Sequence, residues 1–319
     1  VNGADDPFSY NGSAYAALTI TGVTGGQENL VYVHSYSKRL YFAAVGQLGF
    51  YYLESEAIQG AATYFDLAQI FRKGGYLLAI GSLTQSAGDG PNDLIFFLSS
   101  EGEIVVYSGT DPGVATDWSL VGTYTLGTPF GRRCIVKYGG DSLVITNMGL
   151  LPVSVLFQDD DPSPTENALS YKLGSILSDH NSYKSTYGWH VALHPSNTML
   201  IMNAPYGSDY YQYVMNTVTG AWCRFKGWGA LSFVEMDGNL YFGRLDGVVY
   251  QADYGTKDIN DPIQCDAKQA YDRFGEANNK HWLNCRLKLE YSSEPPIDVT
   301  FNVDYDENIP QYVGESITS

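Results

Sequence analysis

Positive charge is scarce in this chain. Only 18 Lys and Arg stand against 35 Asp and Glu over 319 residues, a formal net charge of −17. Proteins that grip nucleic acid through its phosphates carry basic patches that displace counterions, so the composition argues against that class. It does not forbid DNA nearby, because an acidic wall repels phosphate and lets a duplex slide past without sticking. Cysteine is also rare. Cys134, Cys223, Cys265 and Cys285 form no close pair, which excludes a zinc cluster and a dense disulfide framework and leaves them to be read as small buried side chains. No run of eighteen apolar residues exists, so no membrane-spanning helix is expected. The opening Val1-Asn2-Gly3-Ala4-Asp5-Asp6-Pro7 is neither a signal peptide nor an initiator methionine, and we expect the chain to be part of a longer protein.

What is abundant points to β structure. Tyrosine occurs 26 times beside 34 glycines while charged residues make up only 17%, a balance that favours strands, turns and half-buried aromatic faces. A faint pattern recurs about every fifty residues: an apolar strand, a turn with glycine, a second apolar strand. The copies are Leu40-Tyr41-Phe42 with Gly49, Leu94-Ile95-Phe96-Phe97 with Gly102, Leu143-Val144-Ile145 with Gly149, and Leu240-Tyr241-Phe242 with Gly247. A looser fifth copy runs from Met199-Leu200-Ile201-Met202 to Tyr213-Val214-Met215. A four-stranded blade takes roughly 40 to 50 residues and cannot bury its own faces, so neighbours must stack. The spacing therefore predicts an all-β fold, a β-propeller of about five to six blades.

The expected units are 30–73, 74–127, 128–157, 188–227 and 228–253, with a candidate strand from Tyr15 to Ile20 closing the ring on the final blade. The segment 158–187 breaks the repeat. After Asp159-Asp160-Asp161 it places Thr165 as a cap before Leu169, Leu173, Ile176 and Leu177 at helical spacing, which predicts a helix inserted on the rim. The propeller thus spans 1–255. Residues 256–319 read as a polar connector followed by a β-hairpin: Leu283, Cys285, Leu287, Leu289 and Tyr291 alternate before Ser292-Ser293-Glu294-Pro295-Pro296, and Val299, Phe301, Val303 and Tyr305 alternate after it. A lone hairpin is marginal in water, so this one is expected to join a platform or inter-subunit sheet.

Constellations that carry chemistry are weak. His190 and His194 have the spacing of a helical metal pair. Trp189, Val191 and Leu193 alternate with them, however, and on a strand residues four apart stand roughly 13 Å from each other, too far to share an ion. Asp159-Asp160-Asp161 lacks the alternating oxygen ligands and central glycine of a compact calcium loop. Asp89 has the setting of a propeller-enzyme carboxylate, but the Asp-box turn of sialidases is absent. Trp222 and Trp228 could offer a sugar-stacking face, although aromatics in blades commonly pack between them. No G-x-S-x-G elbow occurs, and Gly74-Gly75 and Gly139-Gly140 lack the helix and lysine of a phosphate cradle. No catalytic, cofactor-binding or metal-binding residue is assigned, and no cofactor or enzymatic activity is expected.

Several strings resemble a family of bacteriophage tail proteins. They are Ser108-Gly109-Thr110-Asp111-Pro112 with Trp118-Ser119-Leu120-Val121-Gly122, Pro129-Phe130-Gly131-Arg132-Arg133, Tyr138-Gly139-Gly140-Asp141, Gln212-Tyr213-Val214-Met215-Asn216-Thr217 with Thr219-Gly220-Ala221-Trp222-Cys223, and Tyr241-Phe242-Gly243 with Asp246-Gly247-Val248-Val249-Tyr250. Over about residues 30 to 255 the chain is similar to virion proteins of short-tailed phages. The resemblance implies a tail nozzle or hub subunit in a homo-oligomeric ring, commonly a hexamer, that contacts other tail proteins such as adaptor and fibres. It also implies that viral DNA passes through the ring without specific binding. The competing expectation is a carbohydrate-binding or glycan-hydrolysing propeller of the tail.

Overall fold

Alternation along the second sheet explains why the chain stacks. In the computed structural model, which describes residues 1–87, 90–157, 166–255, 257–258, 261–268, 297, 299–301 and 312–313, the strands Leu77–Ala87, Gly90–Ser99, Glu103–Ser108 and Ser119–Thr125 form an antiparallel meander. Successive side chains on a strand point to opposite faces. Leu94, Phe96 and Leu98 turn to one cluster together with Ile104 and Val106, whereas Ile95, Phe97, Val105 and Tyr107 turn to another. Both faces are apolar, so both need a neighbouring sheet.

Four more meanders supply neighbours. The first sheet joins Leu30–Tyr36, Arg39–Ala44, Gly49–Tyr52 and Thr63–Asp66. The third joins Ile135–Tyr138, Asp141–Thr146 and Gly149–Pro152. The fourth joins His190–His194, Met199–Tyr206, Asp209–Asn216 and Trp222–Phe225. The fifth joins Ala230–Met236, Asn239–Arg244 and Val249–Gln251. The second to fifth are built from consecutive strands, and in the first only Gly60–Ala61 intervenes before the last strand; the buried clusters lie between consecutive sheets: Tyr41, Phe50 and Phe97 between first and second, Leu143, Val144 and Met202 among second, third and fourth, and Ile201, Val214 and Phe242 between fourth and fifth. The first strands converge. His190–His194 runs beside Arg133, with Val191 N donating to Arg133 O at 3.1 Å, and Tyr32 of the first sheet packs on the cluster that contains Cys134 of the third. This is the sheet order and packing of a β-propeller, and the five sheets fall on the five units read from the sequence.

Turn glycines differ in what they do. Gly102 sits at φ +81° with Gly127 O against the place a Cβ would occupy, so a side chain there meets both strain and backbone. Gly247, at φ +79°, faces open space and answers only to its left-handed conformation.

Two expectations change. The stretch Tyr15 to Ile20 does not close the last blade. Tyr15–Ala17 pairs with Phe8–Tyr10 in an exposed hairpin, and Ile20–Thr21 pairs in parallel with Gly60–Ala61, sealing the outer face of the first sheet with Leu30, Phe42 and Leu53. The inserted helix is also shorter than its apolar spacing. It covers Gly174–His180, flanked by 3₁₀ turns at Tyr171–Leu173 and Asn181–Tyr183. Leu169 is kept out because its N–H donates to Leu150 O at 3.0 Å, while Ser170 Oγ accepts from Leu150 N at 2.8 Å. That backbone completes the edge of the third sheet instead. Leu169, Leu173 and Ile176 still pack on the main cluster, and Leu177 is buried in it. Thr165 lies outside the described residues.

Contacts divide the chain into Val1–Tyr254 and Gly255–Ser319. The second unit shows Lys257–Asp258 paired with Asp261–Pro262 and Thr300–Phe301 paired with Tyr312–Val313. The strand expected over 283–291, with Cys285 and the turn at 292–296, lies outside the described residues.

Candidate interaction surfaces and the groove between the fourth and fifth sheets

The strings that carry the family resemblance fold into turns and packing. Asp117 accepts from Thr110 N at 2.7 Å, Thr110 Oγ1 at 2.9 Å and Asp111 N at 2.8 Å; these three bonds pull its carboxyl below the usual carboxylate range. Held so, Asp111 reaches buried Arg39, whose Nη2 donates to Asp111 Oδ2 at 2.6 Å and whose Nη1 donates to Leu53 O at 3.0 Å. Trp118 closes the stack, 5.0 Å from Tyr107. Asp141 accepts from Ser142 N and Ser154 N, Asn216 from Val218 N and Thr219 N, and Asp246 from Val248 N. Each is a carboxylate or amide that fixes a turn.

His34, His190 and His194 sit on the first strands of their sheets and serve the fold. His190 and His194 occupy one strand, as the alternation predicts. Phe233 N donates to His190 Nδ1 at 3.0 Å, linking fourth and fifth sheets. Burial, with Arg133 nearby, brings the His190 pKa down to about 4; burial, with Lys137 nearby, does the same for His34. His180 plugs the inserted helix into the fourth sheet, its ring nitrogens 2.9 Å from Pro205 O and Tyr213 Oη. Among the described residues no group of three His, Cys, Asp or Glu side chains could hold a metal ion.

The two tryptophans are packing residues. Trp222 Nε1 donates to Leu169 O at 3.1 Å, and Trp228 stacks on Phe242 at 5.0 Å and 8° between the last two sheets. Asp89 and Asp159-Asp160-Asp161 lie outside the described residues. Of the cysteines, Cys134 is buried, but Cys223 and Cys265 are exposed. For Cys223 the reason is its place on the outermost strand of the fourth sheet, which among the described residues no strand pairs on its other side.

Among the described residues we single out three open surfaces. The outer face of the fifth sheet presents Val234, Met236 and Val249, exposed by 56%, 56% and 69%, around Tyr241, which pairs with Val234. The N-terminal hairpin presents Phe8, Tyr10 and Tyr15. Between the fourth and fifth sheets lies a groove of about 470 Å³ lined by Tyr210, Tyr211, Lys226, Arg244, Leu245 and Asp209. These surfaces are not marked by any motif. The exposed pairs Val248-Val249 and Val234-Met236 are the signal that was available, since strands buried on one face should alternate with polar residues outside.

No family model matches the chain. No curated protein matches it either. Solved structures that align with it include a Bacteroides uniformis protein provisionally named a 6-phosphogluconolactonase (TM-score 0.40, 13% identity, 70% of this chain and 69% of that one). Others are YCF48 from Cyanidioschyzon merolae (0.40, 11%, 75% and 73%) and the Aleuria aurantia lectin (0.34, 10%, 79% and 84%). At these values they carry no argument, and the fold rests on the sheet order and packing above. Among the described residues no helix is long and apolar enough to cross a membrane.

Proposed function

We propose that this chain is a structural subunit of a short-tailed phage virion, one copy in a homo-oligomeric ring of the tail nozzle or hub through which DNA leaves. The observation that carries the assembly is the bare apolar face of the fifth sheet. Among the described residues every other sheet interface is filled by a neighbour, and the outer face of the first sheet is sealed by Ile20 and its flanking segment. A face of Val234, Met236, Tyr241 and Val249 in water is a partner surface, and a contact of one patch with a different patch on the next copy generates rings. The resemblance supplies the phage setting and the six copies. The net charge of −17 suits a lumen that DNA traverses without adhering. The adaptor and fibres of the tail are the other partners.

Replacing Val234 and Val249 together by Asp puts two charges on that face without touching a buried side chain. Sedimentation velocity should then show monomers where the parent sediments as a ring, with unchanged circular dichroism. A variant that assembles like the parent removes the fifth-sheet face from the assembly.

The second reading is a carbohydrate-binding propeller of the tail, favoured by Tyr210 in the groove, whose ring offers a surface for stacking on a sugar. Monomeric chain that binds glycans on an array, with binding lost in Tyr210→Ala, would establish it in place of the ring.

A further inference from the structure

We propose that the groove between the fourth and fifth sheets receives the Asp5-Asp6-Pro7-Phe8 corner of a second copy of this chain. The inference rests on the ring reading and adds a charged contact to the apolar one of the fifth sheet. It starts from charge. Lys226 has no ion-pair partner among the described residues, and Arg244 pairs only loosely with Asp246, at 3.7 Å, while lying 5.6 Å over the Tyr250 ring. Two cations therefore stand in a groove of a strongly acidic protein with one lining acid, Asp209. At the other end of the chain Asp5 and Asp6 are exposed and meet only neutral donors: Asn2 Nδ2 at 2.8 Å and Gln27 Nε2 at 2.9 Å. Oppositely charged patches steer the encounter and fix its register.

Shape and hydrophobicity agree with the charges. Phe8 is 58% exposed beside the two acids, and Tyr210 and Leu245 give the groove apolar surface for a ring of that size. The corner is also preformed. Asn2 Oδ1 accepts from Ala4 N and Asp5 N, Gly3 N donates to Leu30 O at 2.8 Å, and Pro7 is buried, so the segment is tied to the first sheet and loses little freedom on docking. The corner on the first-sheet side and the groove on the fifth-sheet side are different patches. The contact is therefore heterologous, the kind that closes into a ring when the rotation per copy allows.

The test is a charge swap read by native mass spectrometry of the full chain. Asp5→Lys with Asp6→Lys reverses the corner; Lys226→Glu with Arg244→Glu reverses the groove. Each variant alone should assemble at least tenfold more weakly than the parent. Mixing the two should restore rings of alternating copies, because each reversed surface then meets a reversed partner. Restoration also demonstrates that both variants are folded. Should both variants assemble like the parent, the contact is wrong and the ring stands on another interface. Loss without rescue on mixing likewise overturns this contact. A parent that stays monomeric removes the ring itself, and this contact with it.

Discussion

Phe50→Ala should cost about 3–5 kcal/mol of folding stability, the loss typical of emptying a phenyl site in a packed core. Phe50 is fully buried between the first two sheets, its ring 4.3 Å from Phe97 at 10° and 5.0 Å from Phe65 at 15°. Tyr41 and Trp118 close the remaining sides. Offset-stacked rings add to the area they bury, and the site cannot collapse because its walls are strands pinned in two different sheets. Urea unfolding followed by tryptophan fluorescence would read the change. Phe8→Ala, at an exposed position, should shift stability by less than about 0.5 kcal/mol in the same assay. A Phe50→Ala chain within 1 kcal/mol or so of the parent would mean that the first two blades are not held together through these rings.

Acid should destabilise the propeller in the window from pH 6.5 down to about 4, before most carboxylates titrate. His34 and His190 are held down to about 4 by burial, against 6.5 in an unfolded chain. Between those values the unfolded chain binds protons that the folded chain refuses. Stability is therefore complete above pH 6.5 and is lost as the pH falls through the window. Each histidine contributes on the order of 2 kcal/mol to that loss. Urea midpoints of the parent at pH 7.5 and pH 4.5 should differ accordingly. The double variant His34→Gln, His190→Gln should show a flatter dependence, the glutamine at 190 keeping an acceptor for Phe233 N. Equal slopes for parent and variant would place the acid sensitivity elsewhere, for example at His180, which burial also holds down.

The blades were legible in the sequence because a sheet buried on both faces must be apolar at consecutive positions. Leu94 to Leu98 is such a run, and the matching runs at Leu143, Leu200 and Leu240 recur at the length of one blade. Periodicity said less where backbone hydrogen bonds decide. Leu169 has helical spacing with Leu173 and Ile176, yet its N–H goes to Leu150 across the edge of the third sheet. Nothing local in Tyr15 to Ile20 signals a parallel pairing with Gly60–Ala61, forty residues away. The strand reading of His190 and His194 succeeded because alternation is a property of the strand itself. The groove escaped notice for the opposite reason. Tyr210, Lys226 and Arg244 come from two blades and meet only when those blades pack.

The central claim is that identical copies close into a ring. Class averages of the full chain by negative-stain electron microscopy, at near-physiological ionic strength and micromolar concentration, test it most directly. Closed rings around a central hole are expected, six copies by the family resemblance. Single particles the size of one propeller, unchanged as concentration rises, would contradict it.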